Sequence, residues 1–349
     1  MNFLRTFISR DKELSVLVAI TIGVIVYLYL TLGDRLFSPT GVQSMSVQVS
    51  EFGFLALAMA IAILTGGIDL SIAAAACLAG VMAATVMSGQ IIPVTAGNSS
   101  MLLFLGIVAA LLTGLACGLL NGLLIAKLSV PPILATLGTM ILFSGVSLAM
   151  TTGQSVPVLV TTFSGLSTMA VANVPVIFIM MAVAFVVVAF VLGRTRFGRR
   201  IFLFGENEVA LRFSGARNER MIIMVYAFIG VLVAIAGIIM TSRANSMRVG
   251  FGDSYLLQSI LVVVLAGFNP FGGKGRIVSL AIGLVLLQLL STAFTALMFS
   301  PYAKNFVWGA MLLLVMILNH FVRGLKRKPA FVVPSDTQKI TTVPRVLVR

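Results

Sequence analysis

The chain has 349 residues, of which 59% are hydrophobic and only 10% are charged, and its mean hydropathy is +1.12. A soluble domain carries roughly 25% charged residues, so this composition excludes a chain built of soluble domains and indicates a single membrane domain. The net charge of +14 would suggest a nucleic-acid partner in a soluble protein, whereas a membrane protein concentrates such an excess on its cytoplasmic side.

Ten apolar segments follow one another along the chain. A transmembrane helix needs about 20 mostly apolar residues. The first segment has no small-residue cleavage site after it, so we expect a retained helix rather than a signal peptide. The pattern predicts an all-α membrane protein of about ten transmembrane helices. The segments are 14–32, 44–65, 70–90, 101–126, 132–151, 174–193, 221–241, 255–270, 277–298 and 304–322.

The distribution of basic residues predicts the orientation of these helices. With the N-terminus inside, only four of the 24 basic residues fall on outer segments, namely Arg35, Arg243, Arg248 and Lys304. This bias follows the positive-inside rule, places both termini in the cytoplasm and excludes nucleic acid as a partner. We expect a cytoplasmic N-terminus at 1–13, a transmembrane domain at 14–322 with a cytoplasmic loop at 194–220, and a basic cytoplasmic tail at 323–349.

Two short glycine-rich junctions separate neighbouring apolar segments. Gly66–Asp69 lies between the second and third segments, and Phe271–Arg276 lies between the eighth and ninth. Non-helical backbone at membrane depth is tolerated only where protein buries it or water reaches it, and such breaks are common in transporters. We therefore predict broken or re-entrant segments near Gly66–Asp69 and near Gly272–Gly275.

Asp69 is the only acid between Glu51 and Glu206. An ionisable residue at membrane depth costs about 3 kcal/mol on insertion scales, and this makes it a candidate for function. Its carboxylate can accept hydrogen bonds from the N–H groups that open a helix near Leu70, and Ser71 can donate another. Asp69 could line a solute path or could simply cap that helix, and the two roles are compatible.

The segment 194–220 is the longest polar stretch between the apolar segments. Within it, Asn207 suits an N-cap and Gly215 can close a helix in the left-handed conformation. We predict a short helix over 207–214 that exposes three apolar side chains: Val209, Leu211 and Phe213. Exposed apolar residues of this kind favour a protein partner, and the alternative is a solvated charged loop.

Four ordered motifs resemble the permease subunits of ribose-type sugar ABC importers, a family that also includes galactose, xylose and autoinducer-2 permeases. Gly66-Gly67-Ile68-Asp69-Leu70-Ser71 is similar to the start of the family pattern G-G-I-D-L-S-V-G-S, and the chain then departs with Ile72, Ala73 and Ala74. The second motif runs from Asn121-Gly122-Leu123-Leu124 to Pro131-Pro132 and Thr136-Leu137-Gly138-Thr139-Met140.

The other two motifs lie in the polar loop and at the second glycine junction. In the loop the residues that match the family are Gly205, Asn207, Ala210, Ser214 and Gly215, whereas those that depart are Glu206, Leu211, Phe213 and Ala216. The last motif is Gly272-Gly273-Lys274-Gly275-Arg276. Together the four motifs cover roughly residues 14–322.

This resemblance implies a bacterial inner-membrane importer of a monosaccharide or similar small polyol. The pore would be formed with a second permease chain, the same or homologous, and a periplasmic or lipid-anchored binding protein would deliver the solute. A cytoplasmic ATPase would dock on Gly205, Asn207, Ala210, Phe213, Ser214 and Gly215. The residues expected to line the path or shape it are Gly66, Gly67, Asp69, Ser71, Asn121, Pro131, Pro132, Gly272, Gly273 and Gly275. The chain itself would carry out no chemistry and need no cofactor or metal.

Two other classes remain open from the residues alone. A secondary transporter or channel usually carries several intramembrane carboxylates, and here Asp69 is nearly alone. An enzyme acting on lipid-linked substrates would need paired acids, a histidine or a metal cluster near the interface, and the single histidine, His320, has no cysteine cluster to form a metal site with. The sequence does not identify the transported solute.

Overall fold

The computed structural model describes residues 12–215 and 217–326, and this part of the chain is mainly helical. The helices are α1 (Lys12–Leu32), α2 (Asp34–Phe37), α3 (Pro39–Leu64), α4 (Ile72–Met87), α5 (Ser99–Ala126), α6 (Pro132–Thr151), α7 (Thr161–Thr168), α8 (Val176–Arg194), α9 (Arg196–Glu206), α10 (Glu208–Phe213), α11 (Asn218–Ala244), α12 (Asp253–Leu265), α13 (Ile277–Ala296) and α14 (Pro301–Lys326). The strands are β1 (Val156–Pro157), β2 (Ala170–Val171), β3 (Val174–Pro175) and β4 (Ser246–Met247). The predicted segments 1–13 and 323–349 lie largely outside the described residues.

Eight of the described helices are long and apolar enough to cross a membrane: α1, α3, α5, α6, α8, α11, α13 and α14. Two more apolar helices, α4 and α12, have 16 and 13 residues. At 1.5 Å per residue these helices span roughly 24 and 20 Å, which is less than the roughly 30 Å of a hydrocarbon core. Each of them lies next to one of the two glycine-rich breaks, where the backbone is not helical. The predicted all-α membrane fold with two broken segments is confirmed.

The structure differs from the prediction at several boundaries. Helix α3 begins at Pro39 rather than at 44, because Ser38 caps it by accepting a 3.1 Å hydrogen bond from the N–H of Gly41. The stretch 152–173, which separates two of the predicted apolar segments, contains the short helix α7 and the strands β1 and β2. Helix α9 lies in a stretch that was predicted only as a polar loop, and Thr195 caps it by accepting from the N–H of Gly198 at 3.1 Å.

The helices α3, α4 and α11 form the centre of the bundle. Almost every side chain of α4 is buried, and so is the second half of α3. By contrast, α1, α6, α8 and α14 expose many large apolar side chains. Such apolar surfaces are expected where a membrane protein meets lipid or another membrane chain.

The most extensive helix contact is between α5 and α11, and it depends on small residues. A Cβ at Gly118 would contact the carbonyl oxygen of Tyr226 and would lie 3.0 Å from the Cα of Gly230. A Cβ at Gly230 would contact the carbonyl oxygen of Gly114. Glycines four residues apart let two membrane helices approach until their backbones touch.

The bundle has two ends that differ in their loops. The segments 65–71, 127–131, 195–215 and 266–276 meet at one end, which we call the basic face because it carries Lys127, Lys274 and the arginines at the ends of α8 and α9. At the opposite face, β1 pairs with β4 and β2 pairs with β3, both antiparallel. The polar loop 194–220 that was predicted from the sequence therefore lies beside both glycine-rich breaks.

We predict that Gly118→Leu destabilises the protein by about 3 kcal/mol or more, because the side chain must push α5 away from α11. The measurement is thermal unfolding of the purified protein in detergent. Gly138→Leu on α6 is the control, since a Cβ at that position meets nothing within 4 Å. Equal unfolding temperatures for the two variants would contradict the proposed role of the glycine contact.

Candidate functional site

A buried hydrogen-bond network centres on Asp69, which is 1% exposed. Its Oδ1 accepts from the N–H of Ser71 at 2.9 Å and from the Ser71 hydroxyl at 2.7 Å. The Ser71 hydroxyl in turn accepts from the side-chain amide of Asn121 at 2.8 Å. The Asn121 Oδ1 accepts from the Thr139 hydroxyl at 2.6 Å. The network joins the first two motifs, and its residues come from the turn before α4, from α5 and from α6.

A second branch of the network fixes the turn before α4. The Thr136 hydroxyl accepts from the N–H of Leu70 at 3.1 Å and lies within hydrogen-bond distance of the Pro132 and Ile68 carbonyl oxygens, at 2.8 and 3.2 Å. Thr136 and Thr139 were not among the predicted site residues. Their spacing of three residues puts both hydroxyls on one face of α6, and this periodicity was the available signal.

The predicted proline pair, Pro131 and Pro132, positions the start of α6 against the break at Gly66–Asp69. Pro131 immediately precedes α6 and Pro132 is its first residue, where a missing N–H costs nothing. A Cβ at Gly67 would lie 2.9 Å from the Cβ of Pro132 and 3.2 Å from the Tyr226 hydroxyl. Gly67 is therefore needed for this close contact.

The role predicted for Asp69 as an acceptor agrees with its contacts, with one difference in detail. Its donors are the two polar groups of Ser71, rather than a series of N–H groups along the new helix. Helix α4 starts only at Ile72, and Ser71 occupies the cap position without a side-chain cap bond of its own. Asp69 therefore stabilises the turn that leads into α4, whereas its place on a solute path stays a prediction.

Four glycines from three segments meet at the basic face, and we call them the glycine junction: Gly66, Gly205, Gly272 and Gly273. The N–H of Gly273 donates to the carbonyl oxygen of Leu64 at 3.0 Å. A Cβ at Gly205 would contact that same oxygen, and a Cβ at Gly272 would lie 2.8 Å from the nitrogen of Gly66. Gly66, Gly272 and Gly273 also have φ values of +80°, +94° and +73°, which other residues rarely adopt. Gly205, at the end of α9, thus touches both helix breaks directly.

Gly275, the last predicted glycine of this motif, is required for packing rather than for an unusual φ. A Cβ at this position would contact the ring of Phe268. Phe268 is itself buried. The close packing of backbone against ring holds the end of the second break on the core.

The predicted short helix in the polar loop is present as α10. The Asn207 Oδ1 accepts from the N–H of Ala210 at 2.9 Å, and Gly215 closes the helix with a φ of +79°. Val209 and Phe213 are 62% and 88% exposed. Ala210 and Ser214 are exposed as well.

One part of that prediction is wrong. Leu211 was expected to be exposed, but it is only 6% exposed and belongs to the hydrophobic core cluster. A six-residue helix has a face toward the protein as well as a face toward solvent, and Leu211 lies on the inner one. The side chain therefore anchors α10, while Val209 and Phe213 stay free.

A groove of about 560 Å³ runs along α4 and α6. Its polar lining residues are Ser144 and Asp253, and the others are Ala73, Ala74, Met140, Ile141, Gly145, Leu148, Val249 and Leu256. Among these described lining residues none is basic. The groove begins two residues after Ser71, so the Asp69 network fixes the end of one of its walls.

A second buried acid, Glu51, lies inside α3 and was not singled out from the sequence. Its Oε1 forms an ion pair with Arg243 at 2.5 Å, and its Oε2 accepts from the Tyr255 hydroxyl at 2.8 Å. The signal was available, since an ionisable residue inside an apolar segment is a candidate by the criterion that selected Asp69. These contacts tie α3 to α11 and α12.

Comparison with known proteins places this geometry in a family. Residues 41–316 match the family model described as the permease component of the branched-chain amino acid transport system. The chain is 34% identical to the ribose import permease protein RbsC of Bacillus subtilis over 298 residues, which are 85% of this chain and 89% of that protein. The chain belongs to this permease family.

Two further relatives extend the comparison. The permease is 31% identical to RbsC of Escherichia coli K12 over 322 residues, 91% of this chain and 96% of that one. It is 29% identical to the autoinducer 2 import system permease protein LsrC of Yersinia pestis (strain Pestoides F) over 269 residues, 77% and 74% of the two chains. No solved structure matches the permease. The matched residues 41–316 include the Asp69 network, the glycine junction, α10 and the groove.

We predict that Asp69→Asn keeps much of the folding stability, because its amide oxygen can still accept from Ser71. Asp69→Leu leaves the Ser71 N–H without this acceptor and should cost about 1–3 kcal/mol. Thermal unfolding of the purified variants measures the difference. If Asp69→Leu were as stable as the unmodified protein and transported normally, the proposed role of Asp69 would be wrong.

Proposed function

We propose that this permease is the membrane subunit of an ATP-binding cassette importer for a monosaccharide or similar small polyol. The family match and the ribose and autoinducer 2 permeases among its relatives support this assignment. The single structural observation that carries it is α10, a capped helix that exposes Phe213 and Val209 and follows directly on the glycine junction. A separate ATPase subunit bound to α10 would act directly on both helix breaks.

The chemistry of the groove favours a neutral solute. An amino acid would present a carboxylate, which is normally paired with a basic side chain or a helix N-terminus. The described residues that line the groove include no Lys or Arg, whereas Ser144 and Asp253 offer hydrogen-bond acceptors for hydroxyl groups. The groove therefore fits a polyol better than the amino acid in the family's description.

The orientation follows from the need for ATP. We place the basic face in the cytoplasm, in agreement with the positive-inside rule, with both termini and the segments 1–13, 194–220 and 323–349 on that side. A binding protein would then meet the opposite face of the bacterial inner membrane. A second permease chain would cover the groove and complete the pore. The permease itself would carry out no chemistry and would require no cofactor.

The proposed mechanism transmits motion through backbone contacts. Movement of α10 displaces Gly205 at the end of α9, and Gly205 touches Leu64 and the 272–273 backbone without an intervening side chain. The ends of α3 and of the loop between α12 and α13 therefore shift together with the ATPase. This shift alternates access to the groove, whereas the Asp69 network keeps the start of α4 fixed against α5 and α6.

The rival class, an ATP-independent secondary transporter or channel, is not favoured. The relatives are named as permeases of import systems and match over most of their length. The two buried acids also have local protein donors: Ser71 for Asp69, and Arg243 with Tyr255 for Glu51. A coupling-ion site would instead need a carboxylate available to the ion.

We predict that Phe213→Asp and Ala210→Glu abolish ATPase binding while leaving insertion intact. Each places a charge on the surface that docking buries, where it has no partner. Co-purification of the ATPase and substrate uptake should both fall at least tenfold at normal permease abundance. Tyr302→Asp is the matched control, an equally exposed aromatic residue on the opposite face. Undiminished ATPase recovery with Ala210→Glu would overturn the proposed docking site.

We also predict that Gly145→Trp blocks uptake by filling the groove. A Cβ at Gly145 meets nothing within 4 Å, so the new side chain enters open space without disturbing the fold. Uptake of labelled solute should fall at least tenfold while ATPase binding is retained. Leu142→Trp is the control on the same helix, because Leu142 is exposed but does not line the groove. Normal uptake with Gly145→Trp would exclude the groove from the path.

A further inference from the structure

A separate cavity of about 340 Å³ opens at the basic face beside α10. It lies between the start of α6, the ends of α5 and α9, and the start of α11. Its walls include the apolar side chains of Ile125, Pro131, Pro132, Phe204 and Ile222, and its charged residues are Glu208 and Glu219. The groove along α4 and α6 shares none of these residues.

Two buried polar atoms of this cavity have no hydrogen-bond partner. The Tyr226 hydroxyl is one of them, although Tyr226 is only 1% exposed. It lies near Gly67 and Pro132, at the deep end of the cavity. The second atom is Oδ1 of Asn218, whose side-chain nitrogen donates to the Glu208 carbonyl oxygen at 3.3 Å. Buried polar atoms are normally paired, so these two oxygens are available to the donor groups of a ligand that enters the cavity.

The two charged side chains of the cavity are both hydrogen-bond acceptors. Glu208 and Glu219 carry negative charge, and no ion pair joins either of them to another described residue, although seven arginines lie between 194 and 220. Both acids lie in the first turn of a helix, and this position alone is favourable for a carboxylate. Helix position does not account for the unpaired Asn218 and Tyr226 oxygens.

Acceptors at the mouth, apolar walls and a hydroxyl at the deep end fit one long basic side chain. The alkyl part of lysine or arginine packs along apolar surface while its N–H groups reach oxygen acceptors. A carboxylate pairs most strongly with such a charged donor. A neutral solute would leave the two negative charges uncompensated when the cavity is covered.

Glu208 connects this cavity to the docking surface. It is the first residue of α10, the helix that exposes Phe213 and Val209 five and one residues later. Whatever covers α10 therefore also covers the mouth of the cavity. We propose that the cavity receives a lysine or arginine side chain of the docked ATPase. This inference rests on the proposed function, since it specifies how the ATPase binds to the permease.

The test compares ATPase affinity for permease variants reconstituted in lipid nanodiscs, with the ATPase isolated by co-purification with the unmodified permease. The variant Glu208→Gln/Glu219→Gln keeps the shape of both side chains and removes their charge. Its affinity should fall about tenfold at 50 mM salt and less at 300 mM salt, because salt already screens the lost attraction. Tyr226→Phe should weaken binding a few-fold and leave the salt dependence unchanged.

Glu206→Gln is the control for the type of substitution, since it removes one negative charge from the same loop at a residue that does not line the cavity. It should change the affinity less than twofold. Wild-type affinity and salt dependence in the double variant would overturn the inference. So would unchanged affinity with altered solute uptake, because the cavity would then belong to the solute path. If the unmodified permease binds no ATPase, the proposed function itself fails.

Discussion

Backbone groups at a helix break inside a membrane protein have no bulk water to bind, so each break must be completed by protein. This permease has two such breaks, and each depends on the other. The carbonyl oxygen of Leu64, at the end of α3, accepts from the N–H of Gly273 in the second break. The N–H of Leu70, at the far side of the first break, donates to Thr136 on α6. These two bonds hold the end of α3 against the loop between α12 and α13, and the start of α4 against α6.

The same constraint explains why the important positions are glycines and small polar residues. Partners for the backbone must approach within about 3 Å, and a Cβ at Gly205 or Gly272 would occupy the space they need. Ser71, Asn121 and Thr139 then transmit the hydrogen bonding of Asp69 from one helix to the next. The carboxyl group of Asp69 has local donors in the N–H and hydroxyl of Ser71, although the residue lies in the core.

Much of this organisation could be predicted from the sequence. Hydropathy indicates the spans, and the glycines beside Asp69 and Lys274 indicate the breaks, because both signals are local in the chain. The cap of α10 by Asn207 is equally local. What could not be predicted is which segments meet. Nothing in the residues around Gly205 reveals that they touch Leu64, and the burial of Leu211 depends on where α10 lies on the bundle. Helix α9 was not predicted, because arginines and glycines are interspersed with its apolar residues and the stretch was therefore read as a polar loop.

The glycine crossing of α5 and α11 has a consequence for how the permease can move. At Gly114, Gly118 and Gly230 the two backbones touch without side chains that could rotate to relieve a displacement. Sliding either helix by a fraction of a turn would bring the Cβ of Ala234 or the main chain of Tyr226 into the opposite backbone. We therefore expect the pair to move as one rigid unit and to serve as a frame for the other helices. The Asp69 network also ties α6 to α5, so a rocking motion that opens one side of the membrane at a time would move other helices against this frame.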